Sequence, residues 1–286
     1  MPISADLTEL RGETVPASWD DRDVMLYALG IGMGEDPAGA EELSFVNEGW
    51  YTRRDPAVKV VPTFASVATW NARPPSIDIN QVMVVDAQRD ITFHKPLPVK
   101  ATVSAHSRWL GAWDKGDKGA ILVRETEVRD AEGDSLYTLQ GTTFARGDGN
   151  FGGPTSGQPE TPAVPDRAPD RVVEIATRPG QALLYRLSGD RNPLHSDPEF
   201  AAKAGFPAPI LHGMCTYGIT CRALLQTFAD WDPAAIRRHA CRFSSPVYPG
   251  ETITVALWQE GRAVHFEARI EARGVTCVKN GLTELR

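Results

Sequence analysis

The chain has 286 residues, 42% of them hydrophobic, and carries a net charge of −7. That length and apolar content suit one large or two ordinary globular domains and exclude a disordered chain. The acidic balance, with no block of basic residues, argues against nucleic acid as a partner.

In chain order, the N-terminal stretch "MPISADLTELRGE" has no apolar run of signal-peptide type, and no run anywhere approaches the ~18 apolar residues of a membrane span. The expectation is a cytoplasmic protein with no membrane contact. "MLYALGIG" opens a first half that continues through "VVPTFASVATW" and "FHKPLPVKATV". "AILVRETEV" and "SLYTLQGTTFA", joined by the turn "AEGD", read as antiparallel strands that close this half. Residues 147–170, "GDGNFGGPTSGQPETPAVPDRAPD", are rich in Gly, Pro, Ser and Thr without apolar period, and read as a linker. The predicted organisation is therefore a domain over 1–146, a linker over 147–170 and a second domain over 171–286.

The second half repeats landmarks of the first. Leu184-Tyr185 answers Leu26-Tyr27, and the F-x-x-P-[LV] piece at Phe243 answers the one at Phe93. Similar spacing between these landmarks points to an internal duplication. "GMCTYGITCRALLQTFAD", 213–230, is apolar on nearly every helical face and must be surrounded by protein. In "RAVHFEARIE", Val264, Phe266, Ala268 and Ile270 share one strand face while His265, Glu267 and Arg269 share the other. A buried helix followed by long antiparallel strands suggests a sheet wrapped round a helix, twice in one chain. The four cysteines (Cys215, Cys221, Cys241, Cys277) are scattered without a C-x-x-C, and read as reduced thiols rather than a zinc site.

The densest chemistry lies in "GDRNPLHSDPEF", 189–200. Pro193 bends the segment, so Asp190, Asn192, His195 and Asp197 cannot all sit in one helix. Asp190 and His195 form a carboxylate–imidazole pair suited to proton transfer in two directions. Asn192 could orient a water. In "APILHGMCT", Gly213 stands where the buried helix begins; its N–H is free of internal partners and could hold an oxyanion. Together these suit addition of water to a double bond conjugated with a carbonyl. Other readings stand beside this one. Asp190 and Asn192 are also turn formers, and Asp197 reads as an N-cap with Pro198 at the first helical position. His212 reads as structural. A metal site from Asp190, His195, Asp197 and His212 lacks an i, i+4 histidine pair. A hydrolase triad with Ser188 lacks a G-x-S-x-G elbow.

"YRLSGDRNPLHSDPEFAAKAGF" followed by "PILHGMCTYG" resembles the hydratase 2 motif of MaoC-like (R)-specific enoyl-CoA hydratases. "LYALGIGMGEDP", "VVPTFASV" and "FHKPLP" resemble the first half of the two-domain members, so the likeness covers almost the whole chain. The resemblance implies an α+β double hot-dog fold, with two long helices each wrapped by an antiparallel sheet. It implies reversible syn hydration of trans-2-enoyl-CoA to (3R)-3-hydroxyacyl-CoA. Carried over by position, Asp190, His195, Asn192 and Gly213 are the catalytic set; His195 reads as the base on water and Asp190 as the proton source at C2, with the reverse assignment standing beside it because a coupled pair shares its titration. Lys95, Arg191, Pro193, Leu194 and Phe243 are the substrate-binding set. No cofactor or metal is expected, coenzyme A being part of the substrate, and a homodimer is expected. The first half lacks the D-x-N-P-x-H segment, with Leu29-Gly30-Ile31-Gly32 opposite Leu187-Ser188-Gly189-Asp190 and Phe64 near the place of His212. It is therefore expected to be catalytically silent and to leave room for a bulky acyl tail. A thioesterase, a non-catalytic acyl-CoA binder and a biosynthetic dehydratase are the competing functions.

Overall fold

The computed structural model describes residues 3, 5–36, 38–49 and 58–286. Met1, Pro2 and Ser4 of the N-terminal stretch, and Pro37 of the first-half motif, lie outside the described residues. Ten strands form one antiparallel sheet. They are β1 (Thr14–Trp19), β2 (Val84–Phe93), β3 (Ala101–Asp114), β4 (Ala120–Arg129), β5 (Ser135–Ala145), β6 (Arg171–Ala176), β7 (Ile236–Phe243), β8 (Thr252–Glu260), β9 (Ala263–Ile270) and β10 (Val275–Leu285). Their order across the sheet is β1-β3-β4-β5-β2-β7-β10-β9-β8-β6. Each strand of one half thus has a counterpart in the other, and the halves join where β2 pairs with β7, from Gln88↔Arg242 to Thr92↔Arg238. Arg238 clamps that joint, donating to both oxygens of Asp90 at 2.9 and 2.6 Å.

The strand pattern follows from period-two alternation. Val264, Phe266, Ala268 and Ile270 of β9 are all buried, while the residues between them are partly or fully exposed. The β8–β9 and β4–β5 turns carry Gly261 and Gly133 in the left-handed region, φ +63° and +87°, which costs a glycine little. Residues 147–170 contain no helix or strand. Among the described residues no helix is long and apolar enough to cross a membrane. All four cysteines are free and buried.

Helix α6 (Gly213–Phe228) lies in the concave face of the second half, with every residue from Met214 to Leu225 buried. Its one charge, Arg222, crosses to the first half. It donates to Glu42 of α2 (Ala40–Val46) at 2.6 Å and to the Gly32 carbonyl at 2.9 Å. Gly218 lets α6 approach the turn after α1 (Asp21–Gly30), because a Cβ there would sit 2.5 Å from Ile31 Cγ2 and 2.8 Å from Tyr27 Oη.

The expectation of a long helix in each half needs correction. The first-half counterpart of α6 is a 3-10 turn over Pro62–Phe64 and a single helical turn, α3 (Ala65–Ala68). Pro74 and Pro75 follow within seven residues. Proline removes a donor and clashes with the preceding turn, and it biases Arg73 out of the helical region. The chain instead crosses the sheet in irregular form, with Pro75 accepting from Trp109 Nε1 at 2.9 Å. The duplication survives in the core. Tyr27 packs edge-on to Phe64 at 5.7 Å, Tyr185 of α4 (Gln181–Tyr185) packs on His212 at 5.0 Å, and the two tyrosines meet at 5.8 Å.

Candidate active site

The crowded loop is shaped by its own side chains. Asp190 Oδ1 accepts the Asn192 N–H at 3.1 Å, and Asn192 Oδ1 accepts the Leu194 N–H at 3.0 Å. Both are turns closed by a short side-chain acceptor, so the turn-forming reading of these residues holds. Pro193 then opens a 3-10 turn to His195. Asp197 caps α5 (Pro198–Lys203), accepting from the Glu199 and Phe200 N–H groups with Pro198 in the first turn, as expected. The turns leave atoms to spare. Asp190 Oδ2 and the Asn192 amide nitrogen have no protein partner among the described residues.

His195 is 8% exposed. Its Nδ1–H donates to the Ile210 carbonyl at 2.8 Å. A carbonyl can only accept, so the lone pair sits on Nε2. Burial holds its pKa below the ordinary histidine value, against the opposing pull of the Ile210 bond and the Asp190 charge. The ring stacks on His212, centroids 3.8 Å apart and planes 26° apart. His212 Nε2–H donates to the Asp190 carbonyl at 3.2 Å, while its Nδ1 is buried without a partner. Burial first, then the neighbouring His195, pushes His212 down to about 3. His212 is structural, as expected, but in a specific way: it fixes the His195 ring and the Asp190 backbone together.

Ligand-capable atoms of Asp190, His195 and His212 lie within 4.8 Å of one another. A metal requires ring lone pairs that converge in the ring planes. Stacked rings set those directions side by side, and each ring commits one nitrogen to a carbonyl. Asp197, the fourth residue of the metal reading, is committed to its cap. The arrangement suits proton transfer better than coordination.

Gly213 begins α6 with no side chain capping the helix. The Phe243 ring lies over it, 3.7 Å from where a Cβ would stand. Gly213 thus opens α6 beneath the Phe243 ring, with the positive end of the helix dipole behind it. Leu194 ties the two segments, its carbonyl accepting the Ile210 N–H at 3.3 Å. Trp70 of the first half, which sequence patterns do not single out, packs against Gly189, 3.7 Å from its Cβ position. Gly189 has φ +133°, so a side chain there would be strained as well as crowded.

The substrate-binding expectations divide. Arg191 and Pro193 are exposed beside Asp190 and His195, and Leu194 is half-buried. Arg191 has no ion-pair partner among the described residues. Lys95 differs, because its Nζ donates to Asp130 and Asp134 at 2.7 Å each. Those two carboxylates raise its pKa and balance its charge. Lys95 therefore pins the β4–β5 turn, and nothing in its contacts brings it to the loop.

Three buried histidines set an acid limit on stability. His239 lies between the Thr220 and Thr283 hydroxyls at 3.1 and 2.7 Å, and burial lowers it to about 3. His195 and His212 are lowered too. An unfolded histidine titrates near ~6.5, so between roughly pH 6.5 and 3 the unfolded chain binds more protons than the folded one. Stability is then fully present above about pH 6.5 and falls as pH drops. Urea midpoints are expected to decline steadily from pH 7 to pH 5; a constant midpoint over that range contradicts this.

The fold is that of a double hot-dog protein, with Asp190, His195 and His212 gathered beside the start of α6. Residues 18–147 match the family model for the MFE-2 hydratase 2 N-terminal domain, and residues 160–280 match that of the MaoC like domain. The chain belongs to the MaoC-like hydratase 2 family. It is similar to Enoyl-CoA hydratase ChsH3 of Mycobacterium tuberculosis, with 43% identity over 99% of this chain and 98% of that protein. It is also similar to the peroxisomal Enoyl-CoA hydratase 2 of Arabidopsis thaliana, with 38% identity over 94% of this chain and 91% of that protein. Among solved structures, a MaoC-like dehydratase from Phytophthora capsici matches at 31% identity and TM-score 0.86, covering 98% of each chain.

Proposed function

We propose that the protein is an (R)-specific enoyl-CoA hydratase, adding water reversibly to trans-2-enoyl-CoA to give (3R)-3-hydroxyacyl-CoA. The observation that carries this is that ligand-capable atoms of Asp190 and His195 lie within 4.8 Å of each other, with the His195 lone pair left on Nε2, and that Gly213 opens α6 directly after His212. The thioester carbonyl accepts from Gly213 N–H, which draws electron density from C3 and stabilises the enolate-like charge. Asn192 and Asp190 hold the water. His195 takes its proton as the oxygen bonds to C3, and the proton returns through Asp190 to C2 on the same face. The neutral, buried His195 favours it as the base on water. Only a proton and a hydroxyl move, so the proposed reaction calls for neither a redox cofactor nor a metal, and coenzyme A enters with the substrate.

Arg191 is the proposed contact for coenzyme A, with Pro193, Leu194 and Phe243 lining the thioester. The first half, lacking the loop, is proposed to be catalytically silent and to border the acyl tail. We place the protein in the cytoplasm, in keeping with its unpaired cysteines. A homodimer is proposed on the exposed apolar residues Val172, Leu183 and Leu187, which suit a partner surface.

A panel of trans-2-enoyl-CoA esters, followed by loss of enoyl-thioester absorbance and chiral analysis of the product, tests the reading. Hydration to a 3R alcohol is expected. A predominantly 3S product, or release of free thiol in place of hydration, overturns it.

A further inference from the structure

One row of the sheet in the first half carries two inward-pointing arginines. Arg124 of β4 pairs with Gly141 of β5, Gly141 with Arg89 of β2, and Arg89 with Cys241 of β7. Directly opposed residues of an antiparallel ladder point to the same face. Cys241 is buried in the main core cluster with the residues of α6, so the row points into the concave side. Gly141 has no side chain, and both guanidinium groups converge over it. A Cβ there would sit 3.0 Å from Arg89 Nη1 and 3.2 Å from Arg124 Nε. In the second half α6 fills this face; in the first half the helix stops at Ala68. The chain that follows brings Arg73, whose guanidinium lies 4.7 Å from the ring centroid of Trp70, and Trp70 in turn packs on Gly189.

The charges in this cluster do not balance. Arg89 is 3% exposed and has Asp86 at 2.7 Å. Arg124 and Arg73 have no carboxylate partner among the described residues, and Arg124 Nε is buried without a hydrogen bond. Burial, then the Arg89 charge, pulls Arg124 down to about 10 and lowers Arg73 as well. Arg73 also senses the Asp190 carboxylate, which puts the cluster within electrostatic reach of the catalytic loop. Arg124 is half-buried and Arg73 exposed, so the cost falls on Arg124, whose buried Nε has neither hydrogen bond nor counter-charge, and an arriving anion relieves that cost. The planar forks of arginine match a carboxylate, two bonds at a time.

We infer that Arg73, Arg89 and Arg124 form an anion site for a carboxylate at the far end of the acyl chain, so that the substrates include ω-carboxy enoyl-CoA esters. The inference rests on the hydratase reading above. The phosphates of coenzyme A stand a whole pantetheine arm from the thioester, whereas Arg73 stands one indole ring from Gly189. That favours the tail as the source of the anion.

The test compares trans-2-decenedioyl-CoA, esterified at its conjugated end, with trans-2-decenoyl-CoA on the full chain. The wild type is expected to favour the diacid ester by about tenfold in kcat/KM, the effect of one charge-assisted hydrogen bond. Arg124→Met and Arg73→Gln are each expected to bring that ratio towards one. Arg124→Met removes an unpaired charge, so it is also expected to unfold at an equal or higher temperature; a merely structural arginine would lower it. Equal kcat/KM for the two esters in the wild type overturns the inference. So does a loss on both esters alike in the variants. Weaker inhibition by free coenzyme A in the variants would assign the site to its phosphates and likewise overturn the tail reading. If the wild type hydrates neither ester, the hydratase reading itself fails. Calorimetric binding of decanedioyl mono-CoA against decanoyl-CoA then still decides the anion site.

Discussion

Asp190→Asn and His195→Gln are each expected to lower kcat by about 10²–10⁴, the usual range for loss of a general acid or base. The asparagine side chain keeps an oxygen to accept the Asn192 N–H that Asp190 now holds at 3.1 Å, so the turn should survive. The glutamine side chain offers an amide N–H towards the Ile210 carbonyl but no ring to stack on His212. Circular dichroism and thermal unfolding establish that each variant is folded, and turnover of an enoyl-CoA gives kcat. If the two residues share one proton relay, the double variant should be little worse than the weaker single one. A single variant retaining more than about a tenth of wild-type kcat, well above that range, would remove its residue from the proposed mechanism.

Residues 171–286 expressed alone are expected to aggregate or to self-pair, and to lose activity on long acyl chains. Cutting off the first half bares the β7 edge that β2 covers, and exposed edges template further pairing. It strands Arg222, whose side chain is 10% exposed and whose partner Glu42 belongs to the first half. Removing one partner of a buried ion pair costs about 3–5 kcal/mol, a large share of the ~5–15 kcal/mol that keeps a typical domain folded. The Gln181 bond to the Gly30 carbonyl at 2.6 Å and the Tyr27–Tyr185 contact go too. Size-exclusion chromatography with a long-chain hydratase assay decides the matter. A soluble monomeric fragment with full long-chain activity would refute the dependence.

The candidate site is legible in the sequence because its parts are local. Asp190, Asn192 and His195 fall within six residues, and their turn is closed by bonds reaching two positions along the chain. Gly213 can be placed because α6 is apolar on all sides, which marks its start. The strands β4, β5 and β9 are equally plain from alternation. What surrounds the site is not. Trp70 reaches Gly189, and Arg222 reaches Glu42 across 180 positions, through pairing that no local pattern encodes. Lys95 reads as a ligand contact through its match to the family's K-P-L-P segment; its partners Asp130 and Asp134 come to it only once the β4–β5 hairpin folds. The shortened helix of the first half is masked by the expectation that the two halves are alike, although Pro74 and Pro75 stand where a longer helix would continue.

Residues 147–170 make one chain of two halves whose β2–β7 joint would otherwise lie between subunits. In a symmetric homodimer every substitution is made twice, once at each equivalent position. A change that replaced a catalytic loop by a Gly-rich turn would then erase both copies. Fusion lifts that symmetry constraint. Here Phe64 and the short helix that follows it lie on the Tyr27 side of the Tyr27–Tyr185 contact, while His212, which precedes intact α6, lies on the Tyr185 side. Each side can therefore be altered with the other held fixed, so the first half is free to vary while the 189–200 loop stays as it is.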